Sequence, residues 1–167
     1  AVINFSWCTA SFVSPEGLFV TNHHCGIGAV QRNSTEKKNL VEDGFVAASH
    51  KDELWAGPAY WVRVTVSEKD VTGAFQEALK SAKSHEAAFK VVDRLEKKLV
   101  AACEKDVRMR CTVATYDGGA RYVLIEQLNI RDVRLVHAPP RRIGKFGGDT
   151  DNWMWPRHTG DYAFFRA

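Results

Sequence analysis

Two short apolar runs with a turn between them and a cysteine at each end form the most constraining segment of the chain. The runs Ser-Phe-Val and Leu-Phe-Val-Thr flank a Ser-Pro-Glu-Gly turn within residues 11–21. Pro15 presets φ and Gly17 can take a positive φ, so the segment predicts a β-hairpin. Because a hairpin brings its two ends together, Cys8 and Cys25 can meet in a disulfide.

The rest of the chain combines β-like stretches with one helical stretch. Residues 60–66 and 109–138 show alternating apolar positions and turn signals such as Asp-Gly-Gly, which are typical of strands. Residues 73–105 are rich in Ala, Lys and Glu, and their apolar side chains recur every three or four positions, with an interruption near 81–85. The pattern predicts a mainly β fold interrupted by a helical insertion. The expected boundaries are 1–72 for the first β part, 73–105 for the helical insertion and 106–167 for the continuation of the β part.

Composition places the chain among ordinary globular proteins. Its 167 residues are 45% apolar and 26% charged, enough to bury a core. A net charge of +3 is too small to indicate a nucleic-acid partner, and no apolar run approaches the roughly 20 residues of a membrane-spanning helix. The four cysteines are compatible with two disulfides in an exported protein or with reduced thiols. The absence of a Cys-x-x-Cys pair makes a structural zinc site a poor interpretation.

The ends of the sequence predict that it is part of something longer. The first residue is Ala1 rather than Met, and it opens directly into a strand-like run. Residues 162–165 form another strand-like run just before the sequence stops. We therefore expect a fragment of a mature exported protein.

Residues 22–25 read Asn-His-His-Cys and leave three chemical interpretations open. A metal site would need distant ligands, because His23 and His24 point to opposite faces if they lie on a strand. The clustered candidates for such ligands are Asp149, Asp151 and His158. A cysteine nucleophile is a second interpretation, although active Cys–His pairs are usually assembled from distant positions. The third is a general-base histidine at the end of a strand, held rigid by a disulfide to Cys8.

The motifs of the chain resemble those of a known peptidase family. The run CTASFVSPEGLFVTNHHC at 8–25 resembles the hairpin of chymotrypsin-like peptidases in which the histidine before the cysteine is the base. With VEDGF at 41–45, DVRLVHAPP at 132–140 and GKFGGDTDNWMWPRHTGDYAFFR at 144–166, the chain resembles peptidase family S46, the dipeptidyl peptidase 7 and 11 group of bacterial exported exopeptidases. The resemblance covers most of the chain. It implies a chymotrypsin-like (trypsin-like double β-barrel) peptidase portion with a helical segment inserted.

The resemblance also implies which residues carry the chemistry. His24 matches the general base, and Asp161, which opens the run Asp-Tyr-Ala-Phe-Phe, matches the carboxylate that orients it. Asn152 and Trp153 match the residues that bind the free N-terminal ammonium of the substrate, for which they offer an amide oxygen and an aromatic face. The family carries its serine nucleophile in a Gly-Asn-Ser-Gly-Ser-like turn far downstream. No serine of this chain lies in such a context.

The implied function is that of a serine-type dipeptidyl aminopeptidase releasing dipeptides from the N-termini of peptides. The chain would be an N-terminal fragment, inactive alone, that needs the remainder of the same enzyme for the nucleophile. The family suggests a periplasmic or secreted homodimer without a metal or organic cofactor. A Cys103–Cys111 disulfide would tie the helical insertion to the barrel, with a free pair as the alternative. The competing function is a non-catalytic β module, a pseudo-peptidase half that binds peptide or a partner chain.

Overall fold

A computed structural model of the chain describes residues 2–144 and 160–167. The elements in chain order are β1 (Val2–Phe5), β2 (Cys8–Phe12), β3 (Leu18–Thr21), α1 (His23–Asn33), α2 (Leu40–Asp43), β4 (Phe45–Val46), β5 (Leu54–Trp55), β6 (Val62–Asp70), α3 (Thr72–Leu79), α4 (His85–Cys103), β7 (Met109–Tyr116), β8 (Arg121–Ile130), β9 (Arg134–Ala138), α5 (Arg141–Gly144) and β10 (Ala163–Arg166). Short 3₁₀ helices lie at His50–Asp52 and Asp117–Gly119. The strand pairs of known register are antiparallel, which confirms the prediction of a mainly β fold with helices.

The contacts of the chain divide it into two compact units. One unit combines Ala1–Val62 with Ile130–Ala167, and the other is Arg63–Asn129. The second unit includes more residues than the predicted helical insertion at 73–105, because the strands that precede and follow the helices belong to it. The assignment of the flanking parts to a peptidase barrel stays a prediction.

The first unit is built on an antiparallel sheet that contains the predicted hairpin. Its strands run in the order β4-β9-β10-β3-β2-β1, with β5 beside β9. In the hairpin, Ser11 is opposite Val20 on β3. Gly17 has a φ of 77°, and a Cβ there would collide with the carbonyl oxygen of Ala167. Position 17 therefore requires glycine both for its backbone conformation and for the close approach of another segment.

Aromatic rings form the centre of the core in the first unit. The ring of Phe5 lies 5.1 Å from that of Phe19 and 5.0 Å from that of Phe165. Tyr60 stacks on Phe5 at 5.3 Å. Each fully buried phenylalanine stabilises the fold by about 1.5–3 kcal/mol relative to an exposed one. These rings hold β1, β3 and β10 together beneath helix α1.

The start of α1 differs from the prediction. The sequence predicts β structure up to residue 25, a break at Gly26-Ile27-Gly28 and a short helix after it through Gln31, whereas the helix begins at His23 and contains both glycines. A Cβ at Gly26 would lie 2.6 Å from the Phe165 ring, and one at Gly28 would lie 2.8 Å from the Tyr60 hydroxyl. Packing against these rings overrides the weak helix propensity of glycine.

The second unit combines two helices with antiparallel strands. β7 pairs with β8 along its whole length, and Phe75 of α3 stacks on Tyr122 of β8 at 4.1 Å. The predicted helical stretch forms α3 and α4, with the interruption at 80–84. Cys103 and Cys111 form a disulfide with their Cα atoms 6.3 Å apart. Because both cysteines belong to the second unit, this bond joins α4 to β7 and does not tie the helices to the other unit. Among the described residues, no helix is long and apolar enough to cross a membrane.

Candidate active site

His24 and Asp161, which are 137 residues apart in the sequence, meet in the first unit. The Nδ1 atom of His24 lies 2.8 Å from Oδ2 of Asp161. The register of the sheet explains this contact, because Ala163 of β10 is opposite Thr21 of β3. Asp161 therefore lies where the chain passes from β3 into α1. The Asp161 side chain is 8% exposed and that of His24 is 43% exposed, so the carboxylate is shielded while the imidazole faces solvent.

The carboxylate of Asp161 also accepts hydrogen bonds from the start of α1. The backbone N–H of His24 donates to Oδ1 at 3.1 Å, and Nδ2 of Asn22 donates to Oδ2 at 2.9 Å. The first backbone N–H groups of a helix lack intrahelical acceptors, and the helix dipole favours negative charge there. Asp161 lies outside the helix and supplies both a hydrogen-bond acceptor and a negative charge at the N-terminus of α1. The side chain of Asn22, the N-cap residue, makes no capping bond to α1. The carboxylate is thus fixed by three donors.

This geometry defines what the imidazole can do chemically. Donation of the Nδ1–H group to Asp161 leaves the lone pair of a neutral ring on Nε2. A histidine in this state can take a proton from a hydroxyl group, and the adjacent carboxylate stabilises the resulting imidazolium. The arrangement of His24 and Asp161 is therefore that of a general base and the carboxylate that orients it.

The Cys8–Cys25 disulfide lies next to the histidine. Its Cα atoms are 6.2 Å apart, and it connects β2 to the first turn of α1. The possible ligand atoms of Cys8, His24 and Cys25 lie within 4.8 Å of one another. Both sulfurs are consumed by the disulfide, so they are not the thiolates that bind metal ions. The bond instead restrains the backbone directly after His24.

Tyr60 provides a second restraint on α1. Its hydroxyl oxygen accepts a hydrogen bond from the backbone N–H of Ala29 at 3.0 Å. Burial raises the pKa of Tyr60 above its usual value of 10.0, although backbone hydrogen bonds from Ala29 and Gly28 act in the opposite direction. The tyrosine is therefore a neutral hydrogen-bonding anchor in the neutral pH range. It fixes the helix about one turn beyond His24.

The sequence-based candidates differ in what the structure says of them. His24 and Asp161 are brought together, and their catalytic roles stay predictions. Asn152 and Trp153 lie outside the described residues, as do Asp149, Asp151 and His158. Asn22 was not singled out from the sequence, although it donates directly to the Asp161 carboxylate. The signal available was its position at the head of the Asn-His-His-Cys string.

Comparison with known proteins decides the family. The model of the family described as Peptidase S46 matches residues 1–167. The chain belongs to peptidase family S46. This confirms the resemblance found in the sequence and places the His24–Asp161 contact in an S46 chain.

Named S46 relatives and a solved structure extend the comparison. The chain is 45% identical over 167 residues to an Asp/Glu-specific dipeptidyl-peptidase of Shewanella putrefaciens, covering all of this chain and 22% of the relative. It is 44% identical over 160 residues to a dipeptidyl-peptidase 7 of Porphyromonas endodontalis, covering 96% of this chain and 19% of the relative. The crystal structure of Porphyromonas endodontalis DPP11 in an alternate conformation matches with a TM-score of 0.83 at 40% identity, over 99% of this chain and 25% of that one. The chain thus spans about a fifth of the length of these curated relatives.

Proposed function

We propose that the full-length protein containing this chain is a serine-type dipeptidyl aminopeptidase, which releases dipeptides from the N-termini of peptides. Membership of family S46 and the names of the relatives support this function. The observation that carries the proposal is the 2.8 Å contact between Nδ1 of His24 and Oδ2 of Asp161. Such a contact gives the imidazole the tautomer and the orientation that a serine peptidase needs.

In the proposed reaction, His24 moves the proton and Asp161 stays ionised. Nε2 of His24 takes the proton of a serine hydroxyl, which is supplied by another part of the protein, as the serine oxygen attacks the scissile carbonyl. The imidazolium then gives that proton to the leaving amine, and a dipeptidyl ester of the serine remains. Water activated by His24 hydrolyses this ester and releases the dipeptide. The chemistry uses no metal or organic cofactor.

The length of the product would be set by an anchor for the substrate ammonium. We assign that role to Asn152 and Trp153, because an ammonium group binds well to amide oxygens and to the face of an indole ring. An anchor two residues from the scissile bond measures out a dipeptide. Relatives of both names match at nearly equal identity, so the proposal specifies no side-chain preference.

The wider architecture and location are part of the proposal. The first unit would form part of a chymotrypsin-like double β-barrel, and the second unit would be inserted within it. The Cys8–Cys25 and Cys103–Cys111 disulfides support a periplasmic or secreted enzyme, since disulfides persist in oxidising compartments. A homodimer stays a prediction.

Steady-state kinetics of the full-length protein with a dipeptidyl coumarylamide test the proposal. His24→Ala and Asp161→Asn should each lower kcat by roughly 10⁴-fold, because both remove the correctly oriented base. His50→Ala is the matched control, since His50 lies in an exposed 3₁₀ helix. Turnover within tenfold of wild type in either variant would refute the assignment of His24 and Asp161. An inactive wild-type protein would favour the non-catalytic module.

A further inference from the structure

A cavity of about 390 Å³ opens beside His24 in the first unit. Its described lining includes the apolar and aromatic side chains of Trp7, Ile27, Pro58 and Tyr60. We call it the Trp7 cavity. Asn22 and Asp161 line a separate depression instead. His24 therefore lines the Trp7 cavity, whereas the aspartate that orients its ring does not.

Trp7 is displayed at the edge of this cavity. Its side chain is 67% exposed, which leaves a large apolar ring in water. The turn that carries it is pinned, because Ser6 exchanges hydrogen bonds with Trp61 through both its backbone N–H and its hydroxyl. Ser6 has a φ of 52°, a costly value for a residue other than glycine. Strained backbone is concentrated at active sites and ligand-binding sites, and this strained turn also exposes an indole ring.

Arg32 gives the Trp7 cavity a positive charge. Its guanidinium group lies 5.0 Å from the centre of the Trp55 ring. Its stem crosses Gly57, where a Cβ would come 2.8 Å from Cδ of the arginine. None of the described residues that line the cavity is Asp or Glu, and in the described part of the chain Arg32 forms no ion pair. Among the described residues, the cavity thus combines apolar walls with a positioned cation that has no acidic neighbour in the lining.

We infer that the Trp7 cavity binds the leaving peptide, the segment that follows the scissile bond, and that Arg32 pairs with a carboxylate of that segment. This inference rests on the proposed function. In that reaction the imidazolium of His24 protonates the leaving amine, so the chain that begins with this amine must pass beside the ring. His24 lines the Trp7 cavity, and the apolar walls and the cation of the cavity suit a short peptide that carries an acidic group.

Two substrate classes separate this inference from the proposed function. A dipeptidyl coumarylamide has no peptide after the scissile bond, whereas hexapeptides with the same first two residues and Glu or Gln at the fourth position do. In the full-length protein, Arg32→Gln should lower kcat/KM for the Glu hexapeptide about fivefold relative to the Gln hexapeptide, as expected for an exposed ion pair. The effect should shrink with added salt. Hydrolysis of the coumarylamide should not change.

Further variants exclude a general effect on folding. Arg121→Gln is the matched control, because Arg121 also lies over an aromatic ring, that of Tyr116 at 5.7 Å, but does not line the Trp7 cavity. Arg32→Lys should retain most of the preference for Glu, and Arg32→Glu should invert it. Trp7→Ala should lower kcat/KM for both hexapeptides alike. Equal effects of Arg32→Gln on all three substrates would overturn the inference.

The source of the carboxylate is resolved by tetrapeptides with a free or an amidated C-terminus. If the tetrapeptide with a free C-terminus is hydrolysed faster than the amidated one, and Arg32→Gln abolishes this difference, Arg32 pairs with the terminal carboxylate. If only the Glu hexapeptide is favoured over its Gln counterpart, Arg32 pairs with the side chain. Calorimetric binding of the free leaving peptide to His24→Ala tests the cavity without turnover. Equal affinities of the His24→Ala variant and of the His24→Ala, Arg32→Gln double variant would overturn the inference, even if the protein proved inactive as a peptidase.

Discussion

Gly26 of α1 lies so close to Phe165 of β10 that a Cβ at position 26 would be 2.6 Å from the Cζ atom of the ring. His24 precedes Gly26 by two residues, and Asp161 precedes Phe165 by four. Phe165 is fully buried and in contact with other rings of the core, so it has no room to move. The contact between Gly26 and Phe165 therefore fixes how closely the element that carries the imidazole approaches the element that carries the carboxylate.

Replacing Gly26 by alanine should separate these two elements. Gly26→Ala overpacks the core, and we expect a loss of about 1–3 kcal/mol in the free energy of unfolding. We also expect at least a tenfold fall in kcat with little change in KM, because the His24–Asp161 contact lengthens. Phe165→Leu shortens the obstructing side chain and should restore part of kcat in the double variant. Gly73→Ala is the control, since a Cβ there meets nothing within 4 Å. Failure of Phe165→Leu to rescue would contradict the distance argument.

Asn22 should position Asp161 through its side-chain amide. Asn22→Ala removes a hydrogen bond to a charged acceptor, and such bonds are worth about 1.5–3 kcal/mol. We expect kcat to fall by roughly tenfold or more, because 1.4 kcal/mol corresponds to a factor of ten. Asn22→Asp should be worse, since it places a second negative charge against Asp161. The control is Asn39→Ala, which removes only a cap of α2. Equal kcat values for Asn22→Ala and wild type would show that the donor is dispensable.

The two disulfides should differ in their effect on activity. Cys8 and Cys25 close a loop of 17 residues beside His24, while Cys103 and Cys111 join two elements of the second unit. Replacing either pair by serine should lower the free energy of unfolding by about 2–4 kcal/mol, measured by denaturant titration. Only loss of the Cys8–Cys25 pair should also lower kcat, because it releases the backbone next to the imidazole. A similar loss of kcat in both double variants would argue for a general effect on stability.

Glu126 should make the stability of the protein depend on pH. Hydrogen bonds from Lys69 and Ser67 hold the pKa of this carboxyl below its ordinary value of 4.5. A depressed pKa means that the ionised form stabilises the fold above pH 4.5, and that this contribution disappears as the pH falls through the pKa of the folded state. Urea titrations should therefore show Glu126→Gln to be less stable than wild type at pH 7, with the difference shrinking below pH 4.5. A difference that stays constant with pH would contradict this account.

Local sequence signals predicted the elements that depend on short-range chemistry. The Ser-Pro-Glu-Gly turn specified the hairpin of β2 and β3, and the three- and four-residue spacing specified α3 and α4. The spacing of Cys8 and Cys25 around the hairpin anticipated their disulfide. Each of these signals acts over one turn or one helix face, so no distant contact was needed to interpret it.

The first turn of α1 could not be predicted in this way. Gly26 and Gly28 lower helix propensity, and only the rings of Phe165 and Tyr60 show why a helix must nevertheless have glycine there. The role of Asn22 was hidden for the same reason, because its acceptor lies 139 residues away. The residue range of the second unit also depends on strand pairing, which is non-local.

The sequence by itself determined which reactive groups the chain carries. These are a histidine next to a disulfide-bonded cysteine and a distant aspartate just before a strand, both within motifs of family S46. Only the tertiary structure decided how these groups act together. The register of β10 against β3 brings the Asp161 carboxylate to the N-terminus of α1, where His24 and Asn22 donate to it. Register and close packing are properties of pairs of segments, so they emerge only when the chain has folded.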